Sequence, residues 1–184
     1  MASATVRPAP LELRWRMSPS LYRLTLVIHV VSSVAWMGAE AVLLTLAVIG
    51  INTGSPETLR AVYVTMGLFG PWFYIPLAFV GLVSGVVLSL GTKWGLVSYY
   101  WVVIKLVFNV ALAGGGTAFV MGMVRKAADH ASNAPAGGLT GAVIGSQRFS
   151  LVGAFSIGMG LLTIATILSY YKPWGRLPWA RRTR

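Results

Sequence analysis

Cysteine is absent from the 184 residues of this chain. That excludes disulfides, thiolate nucleophiles, cysteine-ligated metals and iron–sulfur clusters as chemistry of the chain itself. Acid is nearly absent too: four Asp and Glu stand against fifteen Lys and Arg. Charged residues make up only 10% of the sequence, where a soluble domain carries about 25%. There are two histidines, expected at different levels, so bis-histidine haem ligation inside one chain is not on offer. No phosphate-binding loop, zinc motif or paired nucleophile and base is present.

Long apolar runs fill the space these residues leave. The first, Leu21–Ile49, is long enough to cross a bilayer as one helix. Three further runs follow, at about 72–90, 99–123 and 149–171. The expectation is an all-α integral membrane four-helix bundle with three parts: an N-terminal segment 1–20, a four-span domain 21–171 and a basic tail 172–184. The first run is too long for a signal-peptide core and holds a His and a Glu, so 1–20 reads as a retained segment rather than a cleaved leader.

Between the spans the punctuation is clear. Asn52–Pro56 is a turn, and Glu57–Leu90 is too long for one straight crossing. A bend or interruption is expected at Pro71 or Pro76, where proline removes a backbone donor. Gly81 and Gly85 form a small-xxx-small pair suited to close helix packing. Ala127–Gln147 reads as a small-residue loop after Arg125 and Lys126.

The net charge of +11 raises nucleic acid as a partner, but the basic residues cluster just outside the apolar runs, where anionic headgroups lie. No nucleic-acid recognition module accompanies them. Arg7, Arg14, Arg16, Arg23, Lys93, Lys172, Arg176, Arg181, Arg182 and Arg184 fall on one side of a four-span chain; Arg60, Arg125, Lys126 and Arg148 fall on the other. The positive-inside rule then puts both termini in the cytoplasm. Trp15, Trp174 and Trp179 read as interfacial anchors.

Within the spans, polar groups are costly and mark sites. His29, Ser33, Trp36 and Glu40 share one stripe of the first helix at 3.6 residues per turn. His29 and Lys105 lie at similar depth on parallel spans, and Asn109 is one turn deeper than Lys105. A buried polar cluster of His29, Ser33, Lys105 and Asn109 is expected. His29 and Glu40 are the acid–base candidates, with Trp36, Trp72 and Tyr74 as pocket walls. Two plainer roles stand beside these: Lys105 snorkelling to the headgroups, and Glu40 pairing with Arg125, Lys126 or Arg148 near the outer boundary. No metal site is assigned, although His29, Met121 and Met123 carry atoms that bind soft metals. No cofactor is indicated.

The run Ser84–Lys105 contains Gly-Thr-Lys-Trp-Gly-Leu followed by Tyr-Tyr-Trp-Val-Val-Ile-Lys. It is similar to a group of small, uncharacterised four-span bacterial integral membrane proteins. His29 followed by Trp36-Met-Gly38 resembles the corresponding helix of copper-resistance-D-like membrane domains, over spans one and three only. That resemblance implies a four-helix core in the bacterial cytoplasmic membrane with copper or redox chemistry, while this chain has Asn109 where a histidine would stand. Three classes of function follow: a transport-like module with a hydrated cleft joining His29 and Glu40, a membrane-embedded enzyme acting on a lipophilic substrate, and an accessory subunit. The last would use its small-residue faces in a homo-oligomer or a larger membrane complex. The transport-like and accessory readings rank above the enzyme.

Overall fold

Serine followed by proline starts the first two helices. Ser18 accepts a hydrogen bond from the Leu21 amide (3.3 Å) and Ser55 one from the Thr58 amide (3.2 Å). Pro19 and Pro56 occupy the first helical turn, where a missing N–H costs nothing. In the computed structural model, which describes residues 17–92, 94–135 and 138–181, these helices are α1 (Pro19–Asn52) and α2 (Pro56–Gly91). Two more complete the bundle: α3 (Tyr100–Asn133) and α4 (Gln147–Tyr171). All four are long and apolar enough to cross a membrane, which makes the chain a multi-pass membrane protein and an all-α four-helix bundle.

The helices pack in a ring, each against its sequence neighbours, with α4 closing back on α1. The ends of the ring are fixed by backbone bonds. The Met17 amide reaches Gly91 O (3.3 Å) and the Leu177 amide reaches Ser98 O (3.0 Å). The start of α1, the end of α2, the start of α3 and the tail therefore share one end, called here the tail end. Arg7, Arg14, Arg16, Lys93, Arg182, Arg184 and Trp15 lie outside the described residues.

Two helices carry a widened π turn in mid-course. In α2 it spans Gly70–Tyr74 and contains Pro71. Proline cannot donate to the preceding turn and crowds it, and the extra residue in a π turn relieves both problems. The interruption expected at Pro71 or Pro76 is thus a bulge within a continuous helix. In α3 the π turn spans Leu112–Gly116, where three consecutive glycines weaken the α-helix, and Thr117 Oγ1 donates to Leu112 O (2.7 Å).

The sequence boundaries were short of the observed helices. Residues 127–133, expected as loop, continue α3 to Asn133. Ala127, Ala128 and Ala131 favour helix, and Ala127 and Ala131 are buried. From α2, Arg60 donates to Ser132 O (3.3 Å) and Ala134 O (2.6 Å), holding the last turn. At 1.5 Å per residue, α1, α2 and α3, of 34 to 36 residues, are longer than the roughly 30 Å hydrocarbon layer.

The dense core lies toward that opposite end. Leu43, Leu59, Tyr63, Met66, Met121, Val124, Leu151 and Phe155 interlock there, all buried. Outward faces of the helices are apolar and exposed, Val31, Val34, Phe79, Phe119 and Ile157 among them, as lipid contact requires. Toward the tail end the interlocked core gives way to a cavity.

Candidate functional site

The cavity has a volume of about 330 Å³ and draws on all four helices. From α1 come Leu26 and His29, from α2 Gly85 and Val86, from α3 Trp101, Lys105 and Asn109, and from α4 Ser169. The α2–α3 connection adds Trp94, and the residue after α4 adds Lys172. Apolar surface dominates the lining, with a few polar groups converging on it, the usual composition of a small-molecule site.

His29 is held by α2. Its Nδ1 lies 3.0 Å from Gly81 O and 3.1 Å from Ser84 Oγ. A carbonyl only accepts, so Nδ1 carries the hydrogen, and in the neutral ring Nε2 keeps its lone pair. Ser84 Oγ donates in turn to Val80 O (2.6 Å). The imidazole rests on Gly85: a β-carbon there would stand 2.9 Å from His29 Cε1. This is the use to which the Gly81 and Gly85 pair is put, since Gly81 also faces α1, near Ser32 and Trp36.

Lys105 crosses to α4. Its ammonium donates to Ser169 Oγ, and that hydroxyl donates onward to Ala165 O (3.2 Å). One of three N–H donors is thereby used. The Trp101 ring, one turn back on α3, lies 5.8 Å from Nζ, within cation–π range. Asn109 turns its amide onto its own helix, Nδ2 to Lys105 O (2.8 Å). Ser33 does not line the cavity; it lies near Gly81 on the α1–α2 contact.

A clamp covers the tail end of the site. Tyr99 and Arg176 form an antiparallel bridge, and Arg176 Nε donates to the Tyr99 hydroxyl (3.0 Å). Trp94 stands edge-on to Tyr99 and Trp101, with centroids 5.2 and 5.4 Å apart. Lys172, in the left-handed conformation that ends α4, places Nζ 5.3 Å from the Trp94 ring.

Glu40 belongs to a second, separate cluster. It does not line the cavity; its side chain is 1% exposed, packed against Gly158 of α4. Its neighbour is the Tyr74 side chain, which Trp36 meets edge-on at 6.0 Å and Phe155 at 6.4 Å. Glu40 Oε2 and Trp36 Nε1 have no hydrogen-bond partner among the described residues. Among the described residues Glu40 meets the Tyr74 side chain and Gly158, in place of the expected pairing with Arg125, Lys126 or Arg148. The α1 helix runs on to Asn52, twelve residues past Glu40.

The expected pocket walls also separate. Trp36 and Tyr74 line the Glu40 cluster rather than the His29 cavity. Trp72 is 76% exposed on the outer surface. Tyr74, two residues on in the same π turn, is buried, so the two side chains face opposite ways. The cavity's aromatic wall is Trp94 and Trp101 instead. The signal for Trp101 was available in its spacing of four residues from Lys105. Ser169 was legible only through depth, since Lys105 is long enough to reach a hydroxyl nearer the tail end.

Nor do the soft-metal candidates converge. Met121 is buried against Gly70, whose β-carbon would lie 2.5 Å from its sulfur, while His29 sits on Gly85. Met123 is half-buried beside the core at the opposite end. Among the described residues no group of three His, Asp or Glu could hold a metal ion.

No protein-family model, curated protein or solved structure matches this chain.

Proposed function

We propose that this chain is a transport-like or accessory module of the bacterial cytoplasmic membrane that takes a small ligand into the cavity at the tail end. One observation carries the reading: His29, Lys105 and Asn109, from two helices that sequence depth alone matched, line one partly open cavity with a mostly apolar wall. A half-buried lysine and a half-buried histidine inside membrane spans are expensive to keep and mark a functional site. The likeness to small four-span bacterial membrane proteins supports the cellular setting, and the basic residues at the tail end support a cytoplasmic location for both termini.

The arrangement favours binding over the enzyme reading. His29 and Glu40 sit in different environments, with Ser32 and Trp36 buried between them on α1, so they do not form an acid–base pair. The cavity stops short of Glu40 rather than joining it to His29, which favours the accessory, ligand-binding side of this reading over a through-path.

The test is native mass spectrometry of the protein released from its own membranes in mild detergent. Wild type is expected to retain a bound small molecule or lipid that the cavity-filling variant Val86→Trp loses. Equal adducts on both proteins would remove the cavity as a ligand site.

A further inference from the structure

The charge around the cavity is one-sided. Its described lining contains Lys105, Lys172 and His29 and no Asp or Glu. Of the four acidic residues in the chain, Glu40 is enclosed in the core, Glu57 begins α2 and Asp129 is exposed near the end of α3, both at the opposite end; Glu12 lies outside the described residues. Lys105 keeps two N–H donors beyond the one given to Ser169. Around these donors the wall is Leu26, Val86, Leu106, Trp94 and Trp101. A volume of about 330 Å³ is at the small end for a ligand pocket, enough for a headgroup and the start of a chain.

Resting on the reading of the cavity as a ligand site, we infer that its occupant is an anionic amphiphile: a phosphate or carboxylate headgroup set against Lys105 and Lys172, with its acyl chain along the apolar wall. An oxyanion supplies acceptors beyond Ser169 Oγ, the one that the described residues give Lys105. Charge-assisted N–H···O bonds are the strong kind. The acyl chain explains why the rest of the lining is aliphatic and aromatic rather than polar. The lysine clamped over Trp94 stands at the tail end, where the headgroup region of a membrane lies.

The experiment is a competition read by native mass spectrometry on the full chain in detergent. Phosphatidic acid, palmitate, phosphatidylcholine with matched chains, and inorganic phosphate are each offered to wild type, Lys105→Gln, Lys172→Gln, Lys105→Arg and Val86→Trp. Lys126→Gln, exposed at the opposite end, serves as control. The expected result is retention of phosphatidic acid or palmitate at least about tenfold better than phosphatidylcholine, cut by about tenfold or more in Lys105→Gln and largely restored in Lys105→Arg. Phosphatidylcholine bound equally well, or indifference to both lysine substitutions, would overturn the inference. So would inorganic phosphate held as tightly as phosphatidic acid, since the acyl chain would then contribute nothing. Val86→Trp separates the two levels. A neutral lipid displaced by that variant but not by Lys105→Gln leaves the cavity a ligand site and defeats only its anionic character; failure to displace any ligand defeats both. Exposed Lys172→Gln keeps the test decisive if the Lys105 substitution does not fold.

Discussion

Glu40 on α1 and Gly158 on α4 meet so closely that a β-carbon at position 158 would collide with the carboxyl oxygen. The contact seats an acid inside the bundle by letting the facing helix come to backbone distance. Gly158→Ala is therefore expected to destabilise the protein by about 1–3 kcal/mol, the usual cost of overpacking. In the double variant Glu40→Ala with Gly158→Ala the collision is gone, and most of the Gly158→Ala loss should disappear. Thermal unfolding in detergent, followed by tryptophan fluorescence, measures the cycle. Strictly additive losses would show that the two positions do not touch.

The same logic applies at Gly85, where the neighbour is His29. A methyl group there would stand 2.9 Å from His29 Cε1, forcing the ring off Gly81 O and Ser84 Oγ. Gly85→Ala should cost about 1–2 kcal/mol and disturb the tautomer that the Gly81 carbonyl fixes. Nitrogen NMR of histidine-labelled protein reads this directly, with only His29 and His130 in the spectrum. Wild type should show the Nδ1–H form for His29, and the variant a mixture. An unchanged signal would mean that the ring does not rest on Gly85.

The tail clamp predicts a local effect without a global one. Tyr99→Phe removes the acceptor for Arg176 Nε and keeps the backbone bond from Leu177 to Ser98. Loss of one part-buried hydrogen bond of about 1 kcal/mol should speed amide exchange at Leu177 roughly fivefold. Exchange at buried Leu43 in α1 should not change. Equal acceleration at both positions would show that the substitution loosens the bundle and not the clamp.

Sidedness gives an independent prediction. Fusions of a reporter active only in the cytoplasm, placed at either end of the chain, should both be active. Activity at one end alone would break the four-crossing topology and, with it, the depth matching of His29 to Lys105.

The length of the apolar runs made the bundle legible, because crossing a bilayer takes about 20 mostly apolar residues in a row. Depth arithmetic brought His29 and Lys105 to one level for the same reason: parallel helices of fixed rise act as rulers. What a ruler cannot supply is rotation. Glu40 shares a stripe with His29, yet it meets α4 at Gly158, while His29 meets α2 at Gly85. Trp72 and Tyr74 are neighbours in sequence on opposite faces of α2. Arg60 extended α3 through Ser132 and Ala134, a contact between residues more than seventy positions apart, invisible to any local pattern.

A reachable cavity lined by lysine at the tail end of the bundle can be tested directly. Because the chain has no cysteine, the single substitution Asn109→Cys puts one thiol on the cavity wall. Its rate of modification can be compared for an anionic and a cationic methanethiosulfonate of similar size. The anionic reagent should react about tenfold faster, and Lys105→Gln together with Lys172→Gln should erase that advantage. Equal rates from the outset, or a thiol that neither reagent reaches, would contradict the claim.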